Sequence, residues 1–398
     1  NNQEINVASN ARIQNHIDWI STQPEYLESI SKRAEPFLYL VVSETEKQGV
    51  PIEIALLPIV ESDYYPFSYS HGTATGLWQF IPSTGRMYGL DADWWHEDRR
   101  DVLASTKAAI RYLKDLNKMF DGDWLLSIAA YNAGPGRVQR AIDKNLEQGK
   151  KIDYWSLDLP KETEKYVPKL LAIRSVLKNP DLYNQKLTTI ENKPFLEAVQ
   201  LDTQFDLALI AQWTDLSIKE IYSYNPGLKR WATPEALPYT ILLPQDVVNQ
   251  FNNNLSKQGN RTRISWTRYQ VKEGDSLSLI AQNYKTTVDQ IKSVNELSSN
   301  LIRLNSYLIV PLAKESEEYY SLSEVQREKS RLNTNKNSEK IIYEVVPGDS
   351  LWSIAVKYDV TVNDLVRWNQ IVSAKSLSVG KELVILNENN NKTELAKI

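Results

Sequence analysis

Glu61 ends a nearly unbroken apolar run in the stretch ALLPIVESDYYP, residues 55–66. A carboxyl group in that place lies either at a solvated helix C-terminus or in a cleft beside the core. In a cleft, desolvation raises the pKa of the carboxyl group and keeps it protonated near neutrality. A protonated carboxyl group is a general acid that can protonate a glycosidic oxygen. Taken alone, this segment favours the solvated helix end.

Most glycosidases pair two carboxyl groups, and the neighbourhood of Glu61 does not supply a second one. Glu53 lies eight residues earlier, which is about 12 Å along a helix and beyond the roughly 5–9.5 Å of such pairs. Asp63 is close in sequence but should point in another direction. The spacing makes a mechanism with a single carboxyl group worth considering, with the substrate supplying the second reactive group.

Composition argues against several other kinds of chemistry. There is no Cys, and the three His (His16, His71 and His96) lie far apart, so a metal site or a Ser-His-Asp triad has little material. A net charge of −4 does not indicate nucleic acid as a partner. The longest apolar runs are too short to span a bilayer. The 11 Trp and 21 Tyr, against 7 Phe, suit wet interfaces and stacking on sugar faces.

The elements that must position Glu61 are helical. A helical pattern runs from about residue 8 to 185, in the segments 27–47, 51–61, 101–120, 124–130 and 161–177. The sequence YNAGPG, residues 131–136, interrupts it. Residues 66–100 are rich in Gly and Pro and predict a loop.

Internal repeats follow from about residue 195. YQVKEGDSLSLIAQNYKTTVDQIKSVN (269–295) matches YEVVPGDSLWSIAVKYDVTVNDLVRWN (343–369) at an offset of 74 residues. LALIAQWTDLSIKEIYSYN (207–225) is a weaker copy of 277–295 at an offset of 70, without the Gly-Asp-Ser turn. Each unit reads strand, turn, helix, helix, strand. For the weaker copy, an unrelated helical pair stays an alternative.

Four segments, ES (61–62), GLWQFIPSTG (76–85), AYNAG (130–134) and ETEKYV (162–167), occur in an order that resembles the family 1 lytic transglycosylases. These goose-lysozyme-like enzymes cut peptidoglycan. The repeats resemble LysM domains, which bind glycans containing N-acetylglucosamine. The resemblance implies an α+β multidomain chain, with a mostly α-helical lysozyme-like catalytic domain followed by small βααβ modules. Its expected boundaries are 1–190 for the catalytic domain, 195–250 for a degenerate LysM-like module, 266–313 and 341–387 for two LysM domains, 314–340 for a flexible or weakly helical linker and 388–398 for a tail.

The resemblance also implies roles for individual residues. Glu61 matches the sole catalytic acid and base, and the Tyr166 hydroxyl would lie near it. Ser62 would help to hold the carboxyl group or the substrate. The expected sugar contacts are Gln79, Phe80, Tyr131 and Asn132, with Gly76 and Gly85 letting their loop approach the glycan. Trp78, Phe80 and Tyr131 have core packing as an alternative, and Asn132 a helix end.

In the LysM-like repeats, the resemblance places the glycan between the GDSL turn and the loop before the last strand. The candidate residues are Gly274, Asp275, Ser276 and Leu277 in the first repeat and Gly348, Asp349, Ser350, Leu351 and Trp352 in the second. Ser276 and Ser350 would cap the following helices, and Asp275 and Asp349 would shape the turns. Several weak modules on one chain raise the effective affinity for a polymer.

The reaction implied is cleavage between N-acetylmuramic acid and N-acetylglucosamine without water, giving a 1,6-anhydromuramoyl end and needing no cofactor. The implied partner is a peptidoglycan strand, and the chain would act as a monomer. The implied location is the envelope or periplasm of a Gram-negative bacterium, with outer-membrane anchoring through a removed N-terminus. Two alternatives stay open: a muramidase or chitinase that uses Glu61 with water, and a glycan-binding scaffold without activity.

Overall fold

The computed structural model describes residues 5, 10–70, 74–258, 264–337, 339–346, 349, 354, 358, 365, 369, 380 and 382–387. An α-helical domain comes first, followed by small modules that each contain a two-stranded antiparallel sheet. This confirms the predicted α+β class. None of the helices in these ranges combines the length and the apolar character needed to cross a membrane.

The first domain consists of eight α-helices among the described residues, joined by loops and 3₁₀ turns. They are α1 (Ala11–Ser21), α2 (Tyr26–Lys47), α3 (Leu57–Ser62), α4 (Pro82–Met87), α5 (Val102–Met119), α6 (Trp124–Ala133), α7 (Pro135–Glu147) and α8 (Lys161–Lys178). Their apolar faces meet in one core, which includes Phe37, Trp78 and Ile173. Asp101 and Asp123 cap the N-termini of α5 and α6 with their carboxylates, as these residue types favour.

Helix α7 is absent from the sequence prediction, which treated YNAGPG only as a break. Gly134 ends α6 with a φ of 85°, a conformation that costs glycine little. Pro135 then occupies the first turn of α7, where its missing N–H group is not needed. The same six residues therefore end one helix and begin another.

The first module contains β1 (Leu196–Leu201), α9 (Leu207–Thr214), α10 (Ile218–Tyr224), β2 (Tyr239–Pro244) and a further helix, α11 (Gln245–Gln258). Strands β1 and β2 pair antiparallel, with Leu196 opposite Pro244. The weak repeat is thus a βααβ unit and not an unrelated helical pair. Helix α11 was not predicted and extends past residue 250.

The second module repeats this order with β3 (Ser265–Gln270), α12 (Leu277–Asn283), α13 (Val288–Val294) and β4 (Tyr307–Leu312). In the third module the described strands are β5 (Glu339–Glu344) and β6 (Glu382–Asn387), which pair antiparallel. The pairs Tyr269–Tyr284 and Tyr343–Tyr358 make matching edge-to-face contacts, at 5.6 and 5.3 Å between ring centroids. The packing therefore repeats at the predicted offset.

The segment 314–323, predicted as part of a flexible or weakly helical linker, is packed against the first module. Tyr320 is 2% exposed and donates a hydrogen bond to Asp206 Oδ1 at 2.8 Å. The Lys314 backbone N–H donates to the other oxygen of Asp206 at 2.7 Å. The prediction missed this strap, residues 314–323, because one buried Tyr anchors an otherwise charged segment. Helix α14 (Glu324–Asn337) follows it.

Candidate active site

Glu61 lies at the end of a short helix that the core holds firmly. A 3₁₀ turn, Ile52–Leu56, leads into α3, and the apolar residues of both are mostly buried. Asp63 and Tyr64 then have φ values of 49° and 59° and turn the chain sharply. The buried Tyr64 hydroxyl donates to Ala55 O at 3.0 Å, which fixes this turn on the helix. The apolar run therefore anchors the helix whose penultimate residue is Glu61.

The Glu61 carboxyl group is placed as a general acid requires. The side chain keeps some solvent contact, but protein atoms surround its carboxyl group. Burial, the largest influence, raises the pKa of Glu61 to about 7, and the charge of Glu162 adds to the increase. A hydrogen bond from the Tyr166 hydroxyl to Glu61 Oε1 opposes it. Glu61 is thus partly protonated at neutral pH. The alternative interpretation, a carboxylate at a solvated helix C-terminus, is wrong.

Tyr166 contacts Glu61 although it lies 105 residues later in the chain. It lies in the second turn of α8, is 6% exposed, and donates its hydroxyl proton to Glu61. Burial and the neighbouring carboxyl group raise the pKa of Tyr166, so the hydroxyl stays a donor at neutral pH. The structure thus places Tyr166 beside Glu61, as the family resemblance implied.

Ser62 does not bond the Glu61 carboxyl group. Its buried hydroxyl lies 3.1 Å from Pro58 O, in its own helix, and 3.0 Å from Leu77 O, in the loop that follows. Both groups are backbone acceptors, so the hydroxyl proton is directed at the backbone. Ser62 therefore joins the acid-bearing helix to the loop 76–81.

Side chains hold four backbone carbonyls of this loop. Gln79 Nε2 donates to Gly76 O at 2.7 Å, and Ser62 lies at Leu77 O. The Tyr131 hydroxyl donates to Trp78 O at 2.8 Å, and Arg99 Nη1 donates to Phe80 O at 3.1 Å. The carbonyls at 76, 77, 78 and 80 are each satisfied in this way. The loop conformation, including a φ of 48° at Gln79, is thus fixed from several sides.

Phe80, Gly76 and Gly85 do not have the surroundings predicted for them. The Phe80 ring is 3% exposed and packs against Tyr112 and Tyr131, so it supports the loop from the core. A Cβ at Gly76 would lie 2.1 Å from Arg99 O, and one at Gly85 would lie 2.9 Å from Arg99 Cδ. The missing side chains at these two glycines therefore make room for Arg99, not for a glycan as predicted. Trp78 is fully buried, as its core alternative had it.

Tyr131 and Asn132 lie at the end of α6 and connect it to its neighbours. The Asn132 side chain accepts from Thr163 Oγ1 at 2.8 Å and donates to Glu162 Oε1 at 3.2 Å. Asn132 therefore fixes the first turn of α8, one turn before Tyr166. The sequence analysis did not single out Glu162, although it lies four residues before Tyr166 and so on the same helix face.

Glu53 is excluded as the second carboxyl group by its contacts. It is 1% exposed, and its Oε1 accepts from the Ile5 backbone N–H at 3.2 Å and pairs with Arg174 Nε at 3.1 Å. Asp63 accepts from the Tyr26 hydroxyl at 3.0 Å. Both carboxylates serve the fold. No cluster of three or more His, Asp or Glu suited to a metal ion occurs within the described ranges.

The GDSL turn of the second module has the predicted architecture. Gly274 has a φ of 84°, and the Ser276 side chain accepts from Leu279 N at the start of α12. Asp275 accepts from Tyr269 Oη at 2.8 Å and Lys272 N at 2.7 Å. Leu277 is 2% exposed and belongs to the core, so its side chain does not face a glycan.

The third module repeats the aspartate contacts of that turn. Asp349 accepts from Tyr343 Oη at 2.7 Å and Val346 N at 2.9 Å. The other predicted residues of this turn, Gly348, Ser350, Leu351 and Trp352, lie outside the described residues. Both aspartates therefore shape their turns by the same two hydrogen bonds.

Comparisons with known sequences agree with these elements. A profile of the transglycosylase SLT domain matches residues 40–154, and one of the lytic transglycosylase MltD LysM-like domain matches 195–260. A LysM domain profile matches 269–311 and 343–386. A structure of the lytic transglycosylase Slt from Pseudomonas aeruginosa, an inactive mutant, covers 37% of this chain and 24% of its own at 25% identity and a TM-score of 0.29, too low to bear on the fold.

Two relatives extend over nearly all of the sequence. The membrane-bound lytic murein transglycosylases D of Escherichia coli strains K12 and O6:H1 are each 34% identical over 398 residues. The match takes in 98% of this chain and 84% of each relative. The protein is thus a lytic transglycosylase with LysM peptidoglycan-binding modules, and it belongs to the family of membrane-bound lytic murein transglycosylase D.

Proposed function

We propose that Glu61 alone performs both proton transfers of the transglycosylase reaction. The observation that carries this proposal is the raised pKa of a single carboxyl group, held by Tyr166 and positioned on a core-anchored helix. A pKa near 7 suits a group that must give a proton and then take one back at neutral pH. The contacts of Glu53 and Asp63 leave neither of them to share this work.

The proton first goes from Glu61 to the glycosidic oxygen between N-acetylmuramic acid C1 and N-acetylglucosamine O4. The C1–O4 bond breaks, and the acetamido oxygen of the muramoyl sugar bonds to C1, giving an oxazolinium ion. The Glu61 carboxylate then removes the proton from the C6 hydroxyl of the same sugar. O6 attacks C1 and displaces the acetamido oxygen, so that a 1,6-anhydro ring forms without water.

The other site residues serve this acid in distinct ways. Tyr166 stabilises the carboxylate form that exists between the two transfers, because its hydroxyl bonds Glu61 Oε1. Ser62 and Tyr131 keep the loop 76–81 in place through the carbonyls of Leu77 and Trp78. Gln79, whose side chain turns back onto that loop, stays our proposed sugar contact. Asn132 keeps α8 aligned with α6 and is the proposed contact for the N-acetyl or peptide-bearing side of the substrate.

A hydrolase is the second candidate function, and the position of the Glu162 carboxylate near Glu61 favours it. The negative charge of Glu162 raises the pKa of Glu61. Glu162, in the first turn of α8, could therefore act as a second carboxylate. In inverting glycosidases a second carboxylate activates water. The Asn132 side chain donates to Glu162, so this carboxylate already has a partner within the protein, which favours the anhydro route.

Mass spectrometry of fragments released from purified peptidoglycan separates these routes. We expect fragments one water lighter than hydrolysis products, with no reducing muramic end. Glu61→Gln should release nothing, and Glu162→Gln should keep the anhydro product. Reducing ends that disappear in Glu162→Gln would establish hydrolysis instead. Unchanged release by Glu61→Gln would overturn the role of Glu61.

We also propose that the protein acts in the periplasm as a monomer, anchored to the outer membrane. The support for the location is the similarity, over 98% of this chain, to relatives named as membrane-bound. Fractionation of cells that produce the protein from its own gene tests the location, and light scattering tests the oligomeric state. Recovery in the soluble cytoplasmic fraction, or a dimer mass, would contradict the corresponding proposal.

A further inference from the structure

One segment of the catalytic domain, residues 93–101, contacts both the first module and the loop 76–81. It lies between α4 and α5 and includes the buried Trp95, which packs in the core of the module beside Trp231. Trp95 Nε1 also donates to Glu235 of the module at 2.7 Å. The segment is therefore shared by two domains.

On the module side, the contact is made by backbone hydrogen bonds. The Glu97 N–H donates to Gly227 O at 2.9 Å, and the Lys229 N–H donates to Trp95 O at 2.8 Å, on either side of an antiparallel bridge from His96 to Leu228. The fit leaves no space for a side chain at 227, because a Cβ there would lie 2.3 Å from His96 Nε2. The position of Glu97 is thus set by the module.

On the catalytic side, the next residues hold the loop that contains Gln79. Arg99 pairs with both Glu97 oxygens at 2.9 Å and donates to Phe80 O at 3.1 Å. Its backbone carbonyl packs directly on Gly76. The guanidinium therefore connects a residue docked on the module to the residue after Gln79.

We propose that Arg99 is a positioning residue for transglycosylation and that the first module sets its position through Glu97. The module then acts on catalysis without touching the substrate. This inference rests on the proposed roles of Glu61 and of the loop 76–81. Ser62 and Tyr131 hold two carbonyls of that loop from within the catalytic domain. The carbonyl of Phe80 accepts from the Thr75 backbone N–H at 3.3 Å, and Arg99 supplies the side-chain donor that links it to the module.

Hydrogen–deuterium exchange on the full chain tests this connection independently of activity. Gly227→Ala changes only the module, but it should increase exchange in residues 75–81 as Arg99→Ala does. Arg111→Ala is the matched control, because Arg111 also donates to a backbone carbonyl, Tyr88 O at 2.6 Å, away from the loop. Protection of residues 75–81 that stays unchanged in Gly227→Ala would overturn the proposal.

Kinetics on purified peptidoglycan give the second readout. Arg99→Ala should lower kcat for anhydromuramoyl release by about 10- to 100-fold, with a smaller change in KM, since small displacements of positioned groups have such effects. Arg99→Lys should restore part of the loss. Adding Gly227→Ala to Arg99→Ala should cost little more, because one connection is already broken. Losses that multiply, or that only follow the folded fraction in thermal melts, would overturn the proposal.

Discussion

At the scale of single residues, the two largest influences on the protonation state of Glu61 oppose each other. Burial favours the protonated acid, and the Tyr166 hydroxyl favours the carboxylate. The pKa of about 7 places the group between the two forms at neutral pH. Proton donation requires the acid form, so activity should fall as the pH rises through 7.

Tyr166→Phe should raise the pKa of Glu61 further, because the change removes the hydrogen bond that lowers it. The basic limb of the kcat–pH profile should move to higher pH, and kcat at its maximum should fall. Tyr131→Phe is the control, since the Tyr131 hydroxyl bonds Trp78 O and not Glu61. A basic limb that stays in place or moves to lower pH in Tyr166→Phe would contradict this account.

Glu61→Gln should stabilise the fold more at pH 8 than at pH 5. The folded pKa of Glu61 is raised from 4.5 to about 7, so between these values the unfolded chain loses a proton that the folded chain keeps. Wild-type stability from this group is therefore lost as the pH rises through that window. Gln carries no charge at either pH. Melting temperatures of both proteins at pH 5 and 8 check this, and an equal difference at the two values would disprove it.

At the scale of elements, the site is assembled from α3, α6, α8 and the loop 76–81. Ser62 joins α3 to the loop 76–81 through a hydrogen bond to Leu77 O. Glu53, in the 3₁₀ turn before α3, joins that turn to α8 through Arg174. The relative placement of the acid and its hydroxyl partner thus depends on contacts that never reach the substrate.

Ser62→Ala should lower kcat by about 10-fold, because the loop loses its tether to the acid-bearing helix. Ser175→Ala is a matched control, since its hydroxyl also donates to a backbone carbonyl, Leu171 O at 2.9 Å, within α8. Initial rates on purified peptidoglycan distinguish the two. Equal rates for both variants would argue against the tether.

Glu53→Gln should keep the anhydro product but lower stability. Removing the carboxylate leaves the Arg174 charge in a mostly buried place, which typically costs about 3–5 kcal/mol. Thermal unfolding should show a clear decrease in Tm, and activity below that temperature should persist. Complete loss of activity in a folded variant would instead make Glu53 a catalytic group.

The sequence was sufficient for what its patterns record directly. The βααβ units followed from repeats at fixed offsets, and the helix carrying Glu61 followed from an apolar run. The contact of Glu61 with Tyr166, 105 residues away, was available only through a family resemblance. Arg99 left no signal, because its partner at Phe80 is a backbone carbonyl that any residue has. The strap was missed because a single Tyr, Tyr320, carries its packing.

At the scale of the whole molecule, the first module connects the domains. It receives Trp95 from the catalytic domain and the strap from beyond the second module. Its Trp231 Nε1 donates to Lys285 O of the second module at 2.8 Å. Its turn residue Asp206, aligned with Ser276, accepts from the Ala208 N–H of its own helix and from two groups of the strap.

Tyr320→Phe should destabilise the first module by about 2 kcal/mol, because a buried carboxylate loses a hydrogen bond. Tyr319→Phe is the control, since its side chain is 40% exposed. Thermal melts and limited proteolysis within 314–323 measure the effect. Identical cleavage rates for the two variants would mean that the strap is held by other contacts.

The hydrogen bonds between the first and second modules have a consequence for how we expect the enzyme to act on a polymer. Gln290 of α13 donates to Gln204, and Thr287 donates to Glu235 at 3.1 Å, so the second module, whose turn we propose as a sugar contact, is fixed to the first. If that turn holds the strand as proposed, one fragment stays with the enzyme after a cut while the other departs. We therefore expect processive shortening, with successive cuts on one strand before the enzyme transfers to the next.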